Sequence, residues 1–169
     1  MNDTFVAVLM GSDSDLPTVQ GTLDVLAKLG VAHEAKITSA HRTPGATLAY
    51  VQDAEARGCG VFICAAGLAA HLAGAVAAHT VRPVIGIPME SGPLSGLDAL
   101  LSTVQMPGGI PVACMAIGRA GARNAAYLAA QILALADQEL AARLVADREA
   151  SAAEVLAKDA TLHRDRGLP

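Results

Sequence analysis

What most constrains this chain is a set of short, unbroken apolar runs separated by stretches of helix length. Residues 5–10 read Phe-Val-Ala-Val-Leu-Met, residues 61–65 Val-Phe-Ile-Cys-Ala and residues 84–87 Val-Ile-Gly-Ile. Runs this short and this uniformly apolar suit strands covered on both faces, as in a parallel sheet. Residues 32–37 and 112–116 complete a set of five. Between them the sequence predicts helices over 16–29, 44–57, 69–78 and 96–103. Gly30 and Gly58 end the first two, and Pro17 and Pro44 sit in their first turns. A helix over 118–135 follows the last strand.

Strand and helix alternating in this way predict an α/β fold. The expected form is a three-layer, doubly wound parallel sheet of about five strands, flavodoxin-like or Rossmann-like. An amphipathic helix over 138–156 is expected in addition. At 169 residues, with no repeat and no linker, the chain reads as a single α/β domain over 1–157. Residues 158–169 read as a loose polar tail.

Composition narrows the function classes. Hydrophobic residues make up 53%, aromatics only 2%, and there is no Trp. Small side chains fill little volume but let backbones approach closely, within the chain or between subunits. A net charge of -4 and the lack of any basic run argue against nucleic-acid binding. No apolar run reaches the roughly 18 residues of a membrane span. Met1-Asn2-Asp3-Thr4 lacks the basic start of a secretory signal, so a cytoplasmic protein is expected. Cys59, Cys64 and Cys114 have no metal-ligand spacing and do not form a disulfide framework. Cys64 and Cys114 read as small core residues in strands, Cys59 as a loop or edge residue.

In doubly wound sheets ligands bind at the carboxyl ends of the strands, and the polar loops fall there. Thr38-Ser39-Ala40-His41-Arg42-Thr43-Pro44 reads as a strand end, a loop and a helix start, with Thr43 as N-cap. A helix N-terminus favours anions. Arg42 can fork onto phosphate, Ser39 can donate a hydroxyl, and His41 can move protons near neutral pH. The alternative is a solvated loop. Gly11-Ser12-Asp13-Ser14-Asp15 could hold a phosphate on its N–H groups, with Asp15 accepting from ribose hydroxyls. Alternatively, Asp15 or Ser14 is only an N-cap. Ala66-Gly67-Leu68-Ala69-Ala70-His71-Leu72 has His71 as its single polar side chain and lets backbone approach a flat ligand. A tight helix start with a surface His is the other reading. Glu90 and Ser91 follow the fourth strand. His33, His79 and His163 have no partners at useful spacing.

Several functions are excluded. The third strand ends Cys64-Ala65-Ala66-Gly67, without the Asp of a phosphoacceptor domain. A flavin carrier would use more aromatics than Phe5, Tyr50, Phe62 and Tyr127. There is no GxSxG elbow, no P-loop and no GxGxxG.

Taken together, the loops carry a resemblance. Gly11 to Asp15, Ser39 to Pro44 and Ala69-Ala70-His71-Leu72-Ala73-Gly74 occur in an order that resembles one family. Gln105-Met106-Pro107-Gly108-Gly109-Ile110-Pro111-Val112 and Ala116-Ile117-Gly118 fit the same pattern. The chain resembles the N5-carboxyaminoimidazole ribonucleotide mutases, catalytic subunits of phosphoribosylaminoimidazole carboxylase in de novo purine synthesis. The resemblance runs from about Val6 to Leu135. It implies a cofactor-free and metal-free isomerisation in which a carbamate on N5 moves to C4, through CO2 released and recaptured in a closed site. It implies substrate binding by Ser12 and Asp15 through phosphate and ribose, and by Ser39 and Arg42 through phosphate. His41 would be the proton shuttle. His71, flanked by Gly67, Ala69, Ala70 and Leu72, would line the CO2 and imidazole region. It also implies a homo-octamer of square symmetry.

The residue chemistry agrees. A carbamate leaves as CO2 only once its nitrogen is protonated, and C4 must lose a proton afterwards. One histidine can serve as acid and then base. Many relatives carry a second Gly where this chain has Leu68, and Pro where it has Ala73. A branch using free CO2 carries Lys at the position of Arg42, so Arg42 places this chain with the mutases. Two other readings are direct carboxylation of aminoimidazole ribonucleotide and a non-catalytic phosphosugar- or nucleotide-binding module.

Overall fold

The computed structural model describes residues 4–166. The signal-peptide reading of the first residues, and the tail reading of the last three, lie largely outside that range. Five parallel strands form one sheet in the order β2-β1-β3-β4-β5. They are β1 (Phe5–Met10), β2 (His33–Ile37), β3 (Cys59–Ala66), β4 (Val84–Pro88) and β5 (Ala113–Cys114). The helices are α1 (Leu16–Lys28), α2 (Pro44–Ala56), α3 (Leu72–Ala77), α4 (Leu97–Val104), α5 (Arg119–Ala134) and α6 (Gln138–Arg166). A 3-10 turn, Asp13–Asp15, leads into α1. The doubly wound α/β fold is that expected.

Strand alternation builds two cores. Val6, Val8 and Met10 point with Ile63 and Ile85 to the face covered by α1 and α5. Phe5, Ala7 and Leu9 point with Phe62 and Cys64 to the face covered by α2 and α3. On the first face the helices come close through small residues. Ala122, Ala125, Ala126, Ala129 and Ala130 of α5 are all fully buried. The Thr22 hydroxyl of α1 donates to Ala122 O at 2.8 Å. At Gly121 a Cβ would lie 1.7 Å from Ala116 O, so only glycine lets α5 start this close to the preceding backbone.

Three local expectations are corrected. Cys59 is not a loop residue: it is fully buried at the start of β3, pairs in register with Phe5, and its thiol donates to Val61 O at 3.3 Å. Burial pushes that thiol up to about 11. β5 is only two residues long, pairing with Ile85 and Gly86. Pro111 precedes it without an N–H to give, and it is an edge strand. The third correction is the C-terminal helix, which continues past Leu156 to Arg166, so residues 158–166 are helical rather than a loose tail. No Gly or Pro interrupts the segment, and Lys158–Glu154 and His163–Asp159 make i,i+4 pairs along it.

Candidate active site

The strand order reverses at β1, where the chain leaves β2 on one side and β3 on the other. Loops following β1, β2 and β3 therefore converge above one point, where a doubly wound sheet opens its crevice. A cleft of about 360 Å³ lies there.

The loop after β1 is held by a capping box. Ser14 N–H donates to Ser12 Oγ at 3.3 Å and Ser12 N–H donates to Asp15 Oδ2 at 3.2 Å. Ser12 is thus the cap of the 3-10 turn, while Asp15 stands at the N-cap position of α1 without a side-chain cap bond to it. Burial pushes the Asp15 carboxyl above its ordinary value of 3.8, against the Ser12 and Gly11 N–H groups, which lower it.

The loop after β2 is stitched to itself. Thr43 N–H donates to Ser39 O at 2.9 Å, and Arg42 N–H to Ser39 Oγ at 3.1 Å. Thr43 occupies the N-cap position of α2, with Pro44 next, but its hydroxyl makes no cap bond to the helix. It instead accepts from Ser39 N–H at 3.0 Å and donates to Ser39 O at 3.2 Å. The expected cap therefore tightens the loop rather than the helix. Arg42 reaches across, its Nη2 donating to Gly11 O at 3.1 Å, and ties the second loop to the first.

The loop after β3 brings the second histidine. His41 Nε2 and His71 Nδ1 are 2.7 Å apart, with their rings edge to face at 80° and centroids 4.9 Å apart. In this hydrogen bond one ring nitrogen donates its N–H and the other accepts, the direction being set by the tautomers. Leu68, at the tip of this loop, has φ 54, a left-handed conformation uncommon outside glycine.

Ser12, Asp15, Ser39, His41, Arg42, Gly67, Ala69, His71 and Leu72 all line the cleft. Ala70 does not: it is buried beneath the loop. Leu72 lines the cleft from below and belongs also to the α2/α3 core. The cleft adds Gly11, Ser14, Ala40, Ala66, Leu68 and Ser91 to the residues expected. Ser91 had a signal in its position after β4, but only the path of its loop brings it to the cleft. The sequence reading did not pair His41 with His71; the placement of β2 and β3 on either side of β1 brings them together.

Among the described residues no three His, Cys, Asp or Glu side chains come together in a way that could hold a metal ion. No helix among them is long and apolar enough to cross a membrane.

Comparison with known proteins follows this geometry. The family model described as AIR carboxylase matches residues 5–154. A Brucella melitensis protein named N5-carboxyaminoimidazole ribonucleotide mutase is 54% identical over 150 residues, 89% of this chain and 93% of that protein. Its Escherichia coli K12 namesake is 51% identical over 155 residues, 92% of each chain. Among solved structures, Treponema denticola PurE superposes with a TM-score of 0.85 at 30% identity, covering 94% of this chain and 98% of that one. On the match of the family model and the extent of these identities, the chain belongs to the AIR carboxylase family.

Proposed function

We propose that this chain is an isomerase that converts N5-carboxyaminoimidazole ribonucleotide to 4-carboxy-5-aminoimidazole ribonucleotide in purine biosynthesis. The observation that carries the reading is the 2.7 Å His41–His71 contact beside a cleft lined by Ser12, Asp15, Ser39 and Arg42. Relatives bearing the mutase name, about half identical over nearly the whole chain, support it.

The steps balance without a cofactor. His41 gives a proton to N5, the N–C bond of the carbamate breaks, and CO2 and aminoimidazole ribonucleotide remain in the cleft. C4 attacks CO2, the new C–C bond forms, and the proton displaced from C4 returns to His41. The enzyme ends as it began, and no oxidant or nucleotide triphosphate enters. His71 fixes the tautomer of His41 and shares its proton. Gly67, Ala69 and Leu72 wall the cleft with small or apolar groups, which retains CO2 and excludes water. Arg42 and Ser39 hold the phosphate, and Ser12 and Asp15 the phosphate and ribose.

The active form is a cytoplasmic homo-octamer. The reading is tested by turnover of the N5-carbamate compared with aminoimidazole ribonucleotide plus bicarbonate. Faster conversion of the carbamate supports the mutase, and the reverse preference supports direct carboxylation. Binding without turnover of either supports a ribonucleotide-binding module.

A further inference from the structure

The segment between β4 and α4 folds back across the tip of β3. Met89 N–H donates to Ala66 O at 2.9 Å, and the Leu68 side chain fills the space a side chain at Gly92 would need. This path carries Ser91 to the wall of the cleft that holds His41 and His71. Ser91 Oγ is buried and has no hydrogen-bond partner among the described residues. A Cβ at Gly67 would come within 2.3 Å of that oxygen, so the hydroxyl sits in the room that glycine leaves open. A buried hydroxyl without a partner is unfavourable, and on a cleft wall the missing partner is the ligand.

We propose that Ser91 Oγ donates a hydrogen bond to the carboxyl group that the ligand carries. The proposal rests on the ribonucleotide reading. In that reading the first two loops take the phosphate and ribose, and the carboxyl group is the one anion left over. A neutral hydroxyl also suits a group that must leave as uncharged CO2. A fixed cation would hold the carboxylate of the ground state more tightly than the departing CO2 and so oppose the step.

Titration calorimetry with two ligands tests this: the product, 4-carboxy-5-aminoimidazole ribonucleotide, and aminoimidazole ribonucleotide, which lacks the carboxyl. Ser91→Ala is expected to lose about tenfold in affinity for the first and less than about twofold for the second. Gly67→Ala pushes the same oxygen aside from the other direction and is expected to show the same selective loss, so either variant decides the matter if the other fails to fold. Loss of both ligands in equal proportion, or of neither, overturns the proposal while leaving the ribonucleotide reading intact. Wild-type protein that binds neither ligand overturns both.

Discussion

At the scale of single residues, the proposed roles separate charge from proton transfer. Arg42 is an exposed, permanently charged fork whose Nη2 is lent to the Gly11 carbonyl. His41 Nε2 is engaged with His71 Nδ1 at 2.7 Å. Arg42→Ala is therefore expected to weaken binding of a product analogue by roughly tenfold to a hundredfold, the worth of a charge-assisted bond. His41→Asn is expected to keep most of that affinity and lose nearly all turnover. Calorimetry and a kinetic assay on the two variants check both halves, and wild-type affinity in Arg42→Ala would remove the phosphate role. His41, Arg42 and Ser39 were legible in the sequence because chemically distinctive side chains cluster where a strand ends and a helix begins. Ser91 was legible only as a polar residue after the fourth strand, and the left-handed Leu68 not at all, because a loop path and a backbone angle decide them. Ala70 is buried, while its neighbours on either side line the cleft.

At the scale of elements, close approach matters more than bulk. Gly121→Ala would put a methyl against the Ala116 backbone, which cannot yield as a flexible side chain would. Overpacking typically costs about 1–3 kcal/mol, and this variant is expected at or beyond the upper end, read as a lower melting temperature or insoluble protein. α6 is fastened near its start. Arg143 Nε donates to Leu29 O at 2.8 Å, Tyr127 Oη donates to Asp147 Oδ2 at 2.7 Å, and Lys28 pairs with the same carboxylate. Lys28, then Tyr127, hold the Asp147 carboxyl below its ordinary value of 3.8. A carboxyl lowered on folding contributes its full stability above the ordinary value and loses it as pH falls through the lowered one. Asp147→Asn is expected to melt about 2–4 °C below wild type at neutral pH, with the gap closing below pH 3.8. A gap that stays constant across that range would show that the carboxylate is not the clamp. The helices and buried strands were legible from periodicity and Gly/Pro punctuation. The length of α6 was not, because polar composition reads equally as tail or as solvated helix.

At the scale of the whole molecule, the exposed apolar surface lies on α4 and α6 rather than on the Ala-rich α5. The Ala-rich face of α5 is covered within the chain by the sheet and α1, and its open side carries Arg119, Arg123, Asn124 and Gln131. Leu97, Leu101 and Val104 instead form an exposed stripe at helical spacing along α4, with Leu94 in the turn before it, each about half accessible. Val155 and Leu156 are bare on α6. A lone chain carrying such a surface is an unusual monomer. Light scattering coupled to gel filtration is expected to give eight times the 17.1 kDa chain, and truncation before Gln138 to give lower, inactive oligomers or aggregate. An active species at monomer mass would sink the octamer. Chelator-treated protein, without nucleotide triphosphate, is given the N5-carbamate in one vessel and aminoimidazole ribonucleotide with bicarbonate in another, and the 4-carboxy product is followed in both. The account predicts product from the carbamate at a rate well above that from bicarbonate. No product from the carbamate, or product only after a divalent metal is restored, would contradict it.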